Sequence, residues 1–189
     1  MKTLLITAFT GITSSLGLLA GSINVVHVGP ADVLKFEVSA GEASLDFTLA
    51  HGANTGSFVL PDKPATIKGF TEDVPTLDLP ASENPRVAVL APSEKGFKWH
   101  VIEGKPTDEK WAFRIINLST EPASVMSGKE PLEIPAGGET AVAVTGKSQI
   151  HIKITDAVDL SYKGNEPSGV IAFVYRKGED WEAVFIPDR

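Results

Sequence analysis

The chain has 189 residues, 42% hydrophobic and 22% charged, and no cysteine, which excludes disulfides, thiolate metal sites, a Cys nucleophile and a lipidated Cys anchor. Its 24 Asp and Glu against 17 Lys and Arg give a formal charge of −7, and no basic cluster interrupts that excess, which argues against nucleic acid as a partner. The length admits one domain or two.

Residues 1–20 read as a signal peptide. Lys2 supplies the positive start, Leu4 to Leu19 a mostly apolar stretch, and Leu18-Leu19-Ala20 a cleavage site before Gly21. Removing Lys2 with this leader takes the charge from −7 to −8. Thr3, Thr7, Gly11, Thr13 and Ser14 dilute the stretch below what a stable helix in lipid shows, and no later run reaches spanning length. The mature chain is therefore expected to lack an integral membrane span and to be periplasmic or extracellular.

From Ile23 the text is strand-like. INVVHV is rich in β-branched residues, while VLKFEV and SLDFTL alternate apolar with polar. Further strands are expected at Ser57–Leu60, Ala65–Phe70 and Pro75–Leu79, separated by turn residues such as Asp62-Lys63-Pro64. A hairpin follows over Pro85–Ile102, PRVAVLAPSEKGFKWHVI. Gly104–Lys110, with no large apolar residue, reads as a connection short enough to keep two units close yet allow some reorientation.

Beyond it the order repeats. WAFRIINL answers INVVHV, with Ile116-Asn117-Leu118 opposite Val26-His27-Val28, and Pro167–Ile186, PSGVIAFVYRKGEDWEAVFI, answers the Pro85 hairpin. In both hairpins the Trp lies fourteen residues after the Pro and three after the Gly of a Lys-Gly pair, Lys95-Gly96 or Lys177-Gly178. About eight short strands per half, with turn signals between them, is the pattern of β-sandwiches. The expectation is an all-β chain of two tandem antiparallel β-sandwich domains, at 22–104 and 110–189, the second an internal repeat of the first. Ala136-Gly137-Gly138-Glu139 leads into a strand, so it reads as a turn rather than a phosphate cradle.

Val25-Val26-His27-Val28-Gly29-Pro30-Ala31 and Ile115 to Ala123 resemble the opening of bacterial secreted tandem β-sandwich domains of unknown function, in which the first strand ends in His or Asn before a short turn. The first copy departs from that pattern, lacking an acidic residue ahead of its Pro and shortening the turn. The resemblance implies an extracytoplasmic pair of immunoglobulin-like modules and brings no catalytic residues with it.

No local constellation carries chemistry. No two of His27, His51, His100 and His151 lie within four residues of each other, so a local metal-ligand pair is absent; His27 and His151 are expected half-buried, His51 and His100 exposed. The acidic residues follow no calcium-loop spacing, and none of Ser57, Ser93, Ser119, Ser124 and Ser161 lies in G-x-S-x-G. No catalytic residue, metal or cofactor is expected.

Trp99 and Trp181 are the candidate ligand-stacking residues. An indole beside a hairpin turn packs across strands to fix register, or, if exposed, offers a face to a pyranose. Trp111 is a candidate for the space between the domains. The favoured function is a non-catalytic exported protein with a structural or protein-interaction role, its partner an envelope or extracellular protein. The alternatives are a carbohydrate-binding module pair with a glycan partner, and a hydrolase whose site assembles only in space.

Overall fold

In the structure, a computed structural model, residues 21–29, 31–93, 96–103, 111–126, 131–143, 150–156, 158–162 and 170–187 are described. The expected leader at 1–20, the connection at 104–110 and Lys95 lie outside the described residues, as do the side chains of Trp111 and His151. Among the described residues every regular element is a strand, and no helix is long and apolar enough to cross a membrane.

The first group of strands is β1 (Ser22–His27), β2 (Val33–Ala40), β3 (Ala43–Ala50), β4 (Phe58–Val59), β5 (Ala65–Gly69), β6 (Leu77–Leu79), β7 (Arg86–Ser93) and β8 (Gly96–Glu103). These make two sheets, ordered β3-β2-β5-β6 and β4-β1-β7-β8. The second group is β9 (Trp111–Asn117), β10 (Ala123–Met126), β11 (Pro131–Ile134), β12 (Glu139–Ala143), β13 (Ile150–Ile154), β14 (Val158–Tyr162), β15 (Val170–Lys177) and β16 (Asp180–Pro187). Its sheets run β11-β10-β13-β14 and β12-β9-β15-β16, the first two orders shifted by eight strands. One pair in each group is parallel, β1 with β7 and β9 with β15; the other ladders are antiparallel.

Three apolar layers stack the four sheets. Phe36 and Ile67 of β2 and β5 meet Ile23 and Leu90 of β1 and β7. On the opposite face of that inner sheet, Val26, Val89 and Ile102 meet Ile116, Phe173 and Ile186 from β9, β15 and β16. Ile115 and Val174 then face Val125 and Ile154 of the far outer sheet. The order is outer, inner, inner, outer.

This stacking explains a contrast in the sequence. β2, VLKFEVSA, is buried at alternate residues because one face meets water, whereas β1, β7 and β15 are buried on both faces and so read as nearly unbroken apolar runs. Burying each Phe or Ile of these layers stabilises by roughly 1.5–3 kcal/mol. A short connection alone would leave the groups of strands free to reorient; the shared middle layer holds their inner sheets face to face.

The hairpins correct the ungapped match between the two Trp residues. Leu90 lies opposite His27 and pairs with Trp99; Val174 lies opposite Asn117 and pairs with Ala183. Trp181 pairs with Arg176 and so takes the place that Phe97, paired with Pro92, holds in the first hairpin. The turns cause the slip: Ser93 pairs with Gly96, which opens β8, whereas Lys177 pairs with Asp180 and leaves Gly178 inside the turn at φ 65. A slip of two residues keeps the same sheet face, so both indoles still point at a core.

Candidate functional site

The polar side chains that converge do so at the ends of the inner sheets. His27, the last residue of β1, is buried and bridges the turn that follows: its Nδ1 accepts from the Gly29 N–H (3.2 Å) and its Nε2–H donates to the Ala31 carbonyl (2.8 Å). These two bonds require the neutral ring with the proton on Nε2. Burial holds the His27 pKa below the ordinary value, against the opposing pull of the Ala31 carbonyl. The expectation of a half-buried His27 is thus exceeded.

Gly29 belongs to the same turn. A Cβ there would sit 2.4 Å from the Phe97 ring, so only glycine lets the turn lie against the core. Its carbonyl accepts from His51 Nδ1 at 2.7 Å.

His51, expected on the surface, reaches into the joint between the inner sheets. The turn that carries it is tied to β1 by Gly52 N–H to the His27 carbonyl (2.8 Å) and His27 N–H to the Ala53 carbonyl (3.0 Å). His51 Nε2 lies 2.9 Å from Glu182 Oε2 and 2.9 Å from the Tyr175 hydroxyl, which donates to the same carboxylate oxygen at 2.8 Å. Tyr175 and Glu182 are directly opposite each other on β15 and β16. Gly29 O and Glu182 only accept, so the imidazolium form of His51 donates from both nitrogens. In the neutral form with the proton on Nδ1, the Tyr175 hydroxyl can turn to Nε2.

Burial, followed by the hydrogen bond and charge of Glu182, pushes the Tyr175 pKa well above the ordinary tyrosine value. For Glu182, burial pushes the pKa up, but hydrogen bonds from His51 and Tyr175 and the charge of Lys177 outweigh it, and the net shift is downward. A second clasp lies further along the joint, where the buried Arg114 donates to Glu139 Oε2 (2.8 and 3.2 Å) and to the Glu103 carbonyl at the end of β8 (3.1 Å).

The candidate stacking residues sit differently. Trp99 is partly buried on the first core, edge-on to Phe36 with centroids 5.8 Å apart, and its indole N–H donates to the Pro75 carbonyl at 2.6 Å. Trp181 packs on the third layer, with the Arg176 guanidinium 5.1 Å from its ring centre. The structure does not bring the two together, since separate apolar layers hold them.

An open cleft of about 500 Å³ lies where β8 overhangs the turns that follow β9 and β11. Lys98 and His100 form one wall, Leu118, Thr120 and Gly137 the other. Burial and then the charge of Lys98 hold the His100 pKa below its ordinary value. Among the described residues no group of three or more His, Cys, Asp and Glu is placed to hold a metal ion.

Sequence reasoning missed the His51, Tyr175 and Glu182 cluster because its members come from a turn and two distant strands. The available signal was the Tyr175 and Glu182 pair, which the two-residue turn at Gly178-Glu179 places opposite one another. No protein-family model matches the chain, and no curated protein matches it.

Proposed function

We propose that the chain is a non-catalytic, exported bacterial protein acting as a structural or protein-interaction unit in the envelope or outside the cell, built from two tandem immunoglobulin-like β-sandwich modules. One observation carries the interaction role. Leu45 on the edge strand β3 lies opposite Val38, and Leu132 on the edge strand β11 lies opposite Val125, yet the two leucines stay 49% and 52% exposed while the valines are buried. Each outer sheet therefore ends in a strand with a free backbone edge among the described residues and an apolar side chain facing water, a combination that suits pairing with a strand of another protein.

The sheet orders shifted by eight strands support the tandem reading, and the composition of residues 1–20 supports export. The immunoglobulin likeness rests on two packed, mostly antiparallel sheets per module; the parallel pairings of β1 with β7 and of β9 with β15 depart from the wholly antiparallel sheets expected. The clasps at His51 and Arg114 join the modules into one block, so the polar groups that meet there support the fold.

The test joins export to contact. In bacteria producing the full chain, the envelope or medium fraction should contain a product beginning at Gly21. A photo-reactive residue at Leu45 or Leu132 should give a discrete adduct with one envelope or extracellular protein, and the same residue at Lys68 should not. Retention of Met1 in the cytoplasm, turnover of ester, peptide or glycoside substrates, or saturable binding to a glycan array in place of a protein adduct would overturn the proposal.

A further inference from the structure

We propose that the cleft between β8 and the turns after β9 and β11 is a binding site for a small organic monoanion, a carboxylate on a compact apolar or hydroxylated body. This inference is independent of the edge-strand reading.

The cleft is the open margin of the middle apolar layer. Lys98 and His100 alternate along β8 on the same face as Ile102, which is buried in that layer, so they continue its wall beyond the point where the two inner sheets touch. Across from them Leu118 ends the apolar layer, and Gly137, at φ 69 with nothing within 4 Å of a Cβ position, leaves the rim unfilled. Both halves of the chain thus contribute a wall.

Charge selects the ligand. The chain carries a net −7, yet among the described residues no Asp or Glu lines this cleft. Among the described residues Lys98 has no ion-pair partner, and its ammonium is the one full charge on the walls at neutral pH, because burial and Lys98 itself favour neutral His100. A single cation matches a single carboxylate. Neutral His100 can donate one hydrogen bond and accept another, and the Thr120 hydroxyl offers a third polar contact. Pro92, Leu118 and Ala136 supply apolar surface for the body of the ligand. A nucleotide or other polyanion would meet too little positive charge.

The experiment titrates the purified chain with D-glucuronate, with butyrate as a carboxylate lacking hydroxyls and D-glucose as the neutral counterpart, and follows backbone amide shifts. The expected result is saturable shifts at Lys98, His100 and Thr120 with at least one carboxylate and none with glucose. Lys98→Met, which keeps the apolar stem on an exposed side chain, should weaken binding at least tenfold, and Lys68→Met on an outer sheet should leave it unchanged. No saturable shift with either carboxylate up to about 20 mM, enough to fill nearly all of a site with a Kd of ~1 mM, overturns the proposal. So does equal binding by the Lys98→Met variant, or equal weakening by both variants.

Discussion

His27 and Asn117 make the same pair of hydrogen bonds in the two groups of strands. Each ends the first strand of its group; each accepts from the N–H two residues on, Gly29 (3.2 Å) or Ser119 (3.0 Å), and donates to the carbonyl four residues on, Ala31 (2.8 Å) or Glu121 (2.7 Å). An imidazole with one proton and a carboxamide share the required feature, an acceptor and a donor on one rigid planar group. Only the imidazole can be charged, and a proton on Nδ1 would face the Gly29 N–H. His27→Asn should therefore keep the turn while removing its acid sensitivity. The sign follows from the lowered pKa: the contribution of His27 is fully present above the unfolded value of about 6.5 and is lost as pH falls below it. Urea unfolding at pH 7.5 and 5.5 should show a smaller drop for His27→Asn than for the parent chain. His27→Ala, which strands buried polar groups and leaves a cavity, should cost about 2–4 kcal/mol at pH 7.5. An equal acid drop in the Asn variant would show that His27 is not the titrating group.

Glu182 governs a lower window. Its carboxyl is held below the ordinary range, so the stability it lends is present above about pH 4.5 and is lost as pH falls through its lowered folded value. Glu182→Gln keeps an acceptor for Tyr175 but removes the charge, and its unfolding curves should flatten below pH 4.5 relative to the parent. The carboxylate is 36% exposed and therefore screened, so a His51→Ala and Glu182→Ala double-mutant cycle should give a coupling of only about 0.5–1 kcal/mol. Additivity of the two variants would mean that the 2.9 Å contact contributes nothing across the joint.

Tyr175 sets the alkaline side. Its neutral form is favoured in the fold, so its contribution is present below about pH 10 and is lost as pH rises above that value, where the unfolded chain ionises first. The chain has two tyrosines, and an absorbance titration should show one of them ionising only as the protein unfolds. Tyr175→Phe should remove that late component at a cost of about 1–2 kcal/mol at neutral pH. Two tyrosines titrating together near the ordinary value would contradict the hydrogen-bonded geometry.

The strand character of the chain was legible because burial follows the pleat: VLKFEV alternates, and its buried positions are Leu34, Phe36 and Val38. The pairing of His27 with Asn117 was legible too, since both end an apolar strand before a turn. What the text did not reveal was the middle layer. A continuous apolar run such as VIAFVY is compatible with one buried face or two, and only a second sheet on the far side decides between them. The clasps were hidden for a related reason, since His51 meets Tyr175 across two sheets whose stacking no local spacing encodes.

The Trp register yields the last prediction. Matching the hairpins by their Trp residues makes Trp99 and Trp181 equivalent, whereas the ladders make Trp181 equivalent to Phe97 and Trp99 to Ala183. The two accounts disagree about what each site tolerates. If Trp181 occupies the place that a Phe fills in the first hairpin, Trp181→Phe keeps an aromatic ring under Arg176 and over the third layer, and should cost less than about 1 kcal/mol. Trp99 has no aromatic counterpart to borrow from. It caps Phe36 and bonds Pro75, so Trp99→Ala should cost about 3–5 kcal/mol and Trp99→Phe, which gives up the bond to the exposed Pro75 carbonyl and part of the packing on Phe36, about 1–2 kcal/mol. Urea midpoints of the three variants decide the matter. Equal losses for Trp99→Phe and Trp181→Phe would restore the equivalence that the spacing of the two Trp residues suggests, and the two-residue slip between the hairpins would then have no energetic consequence.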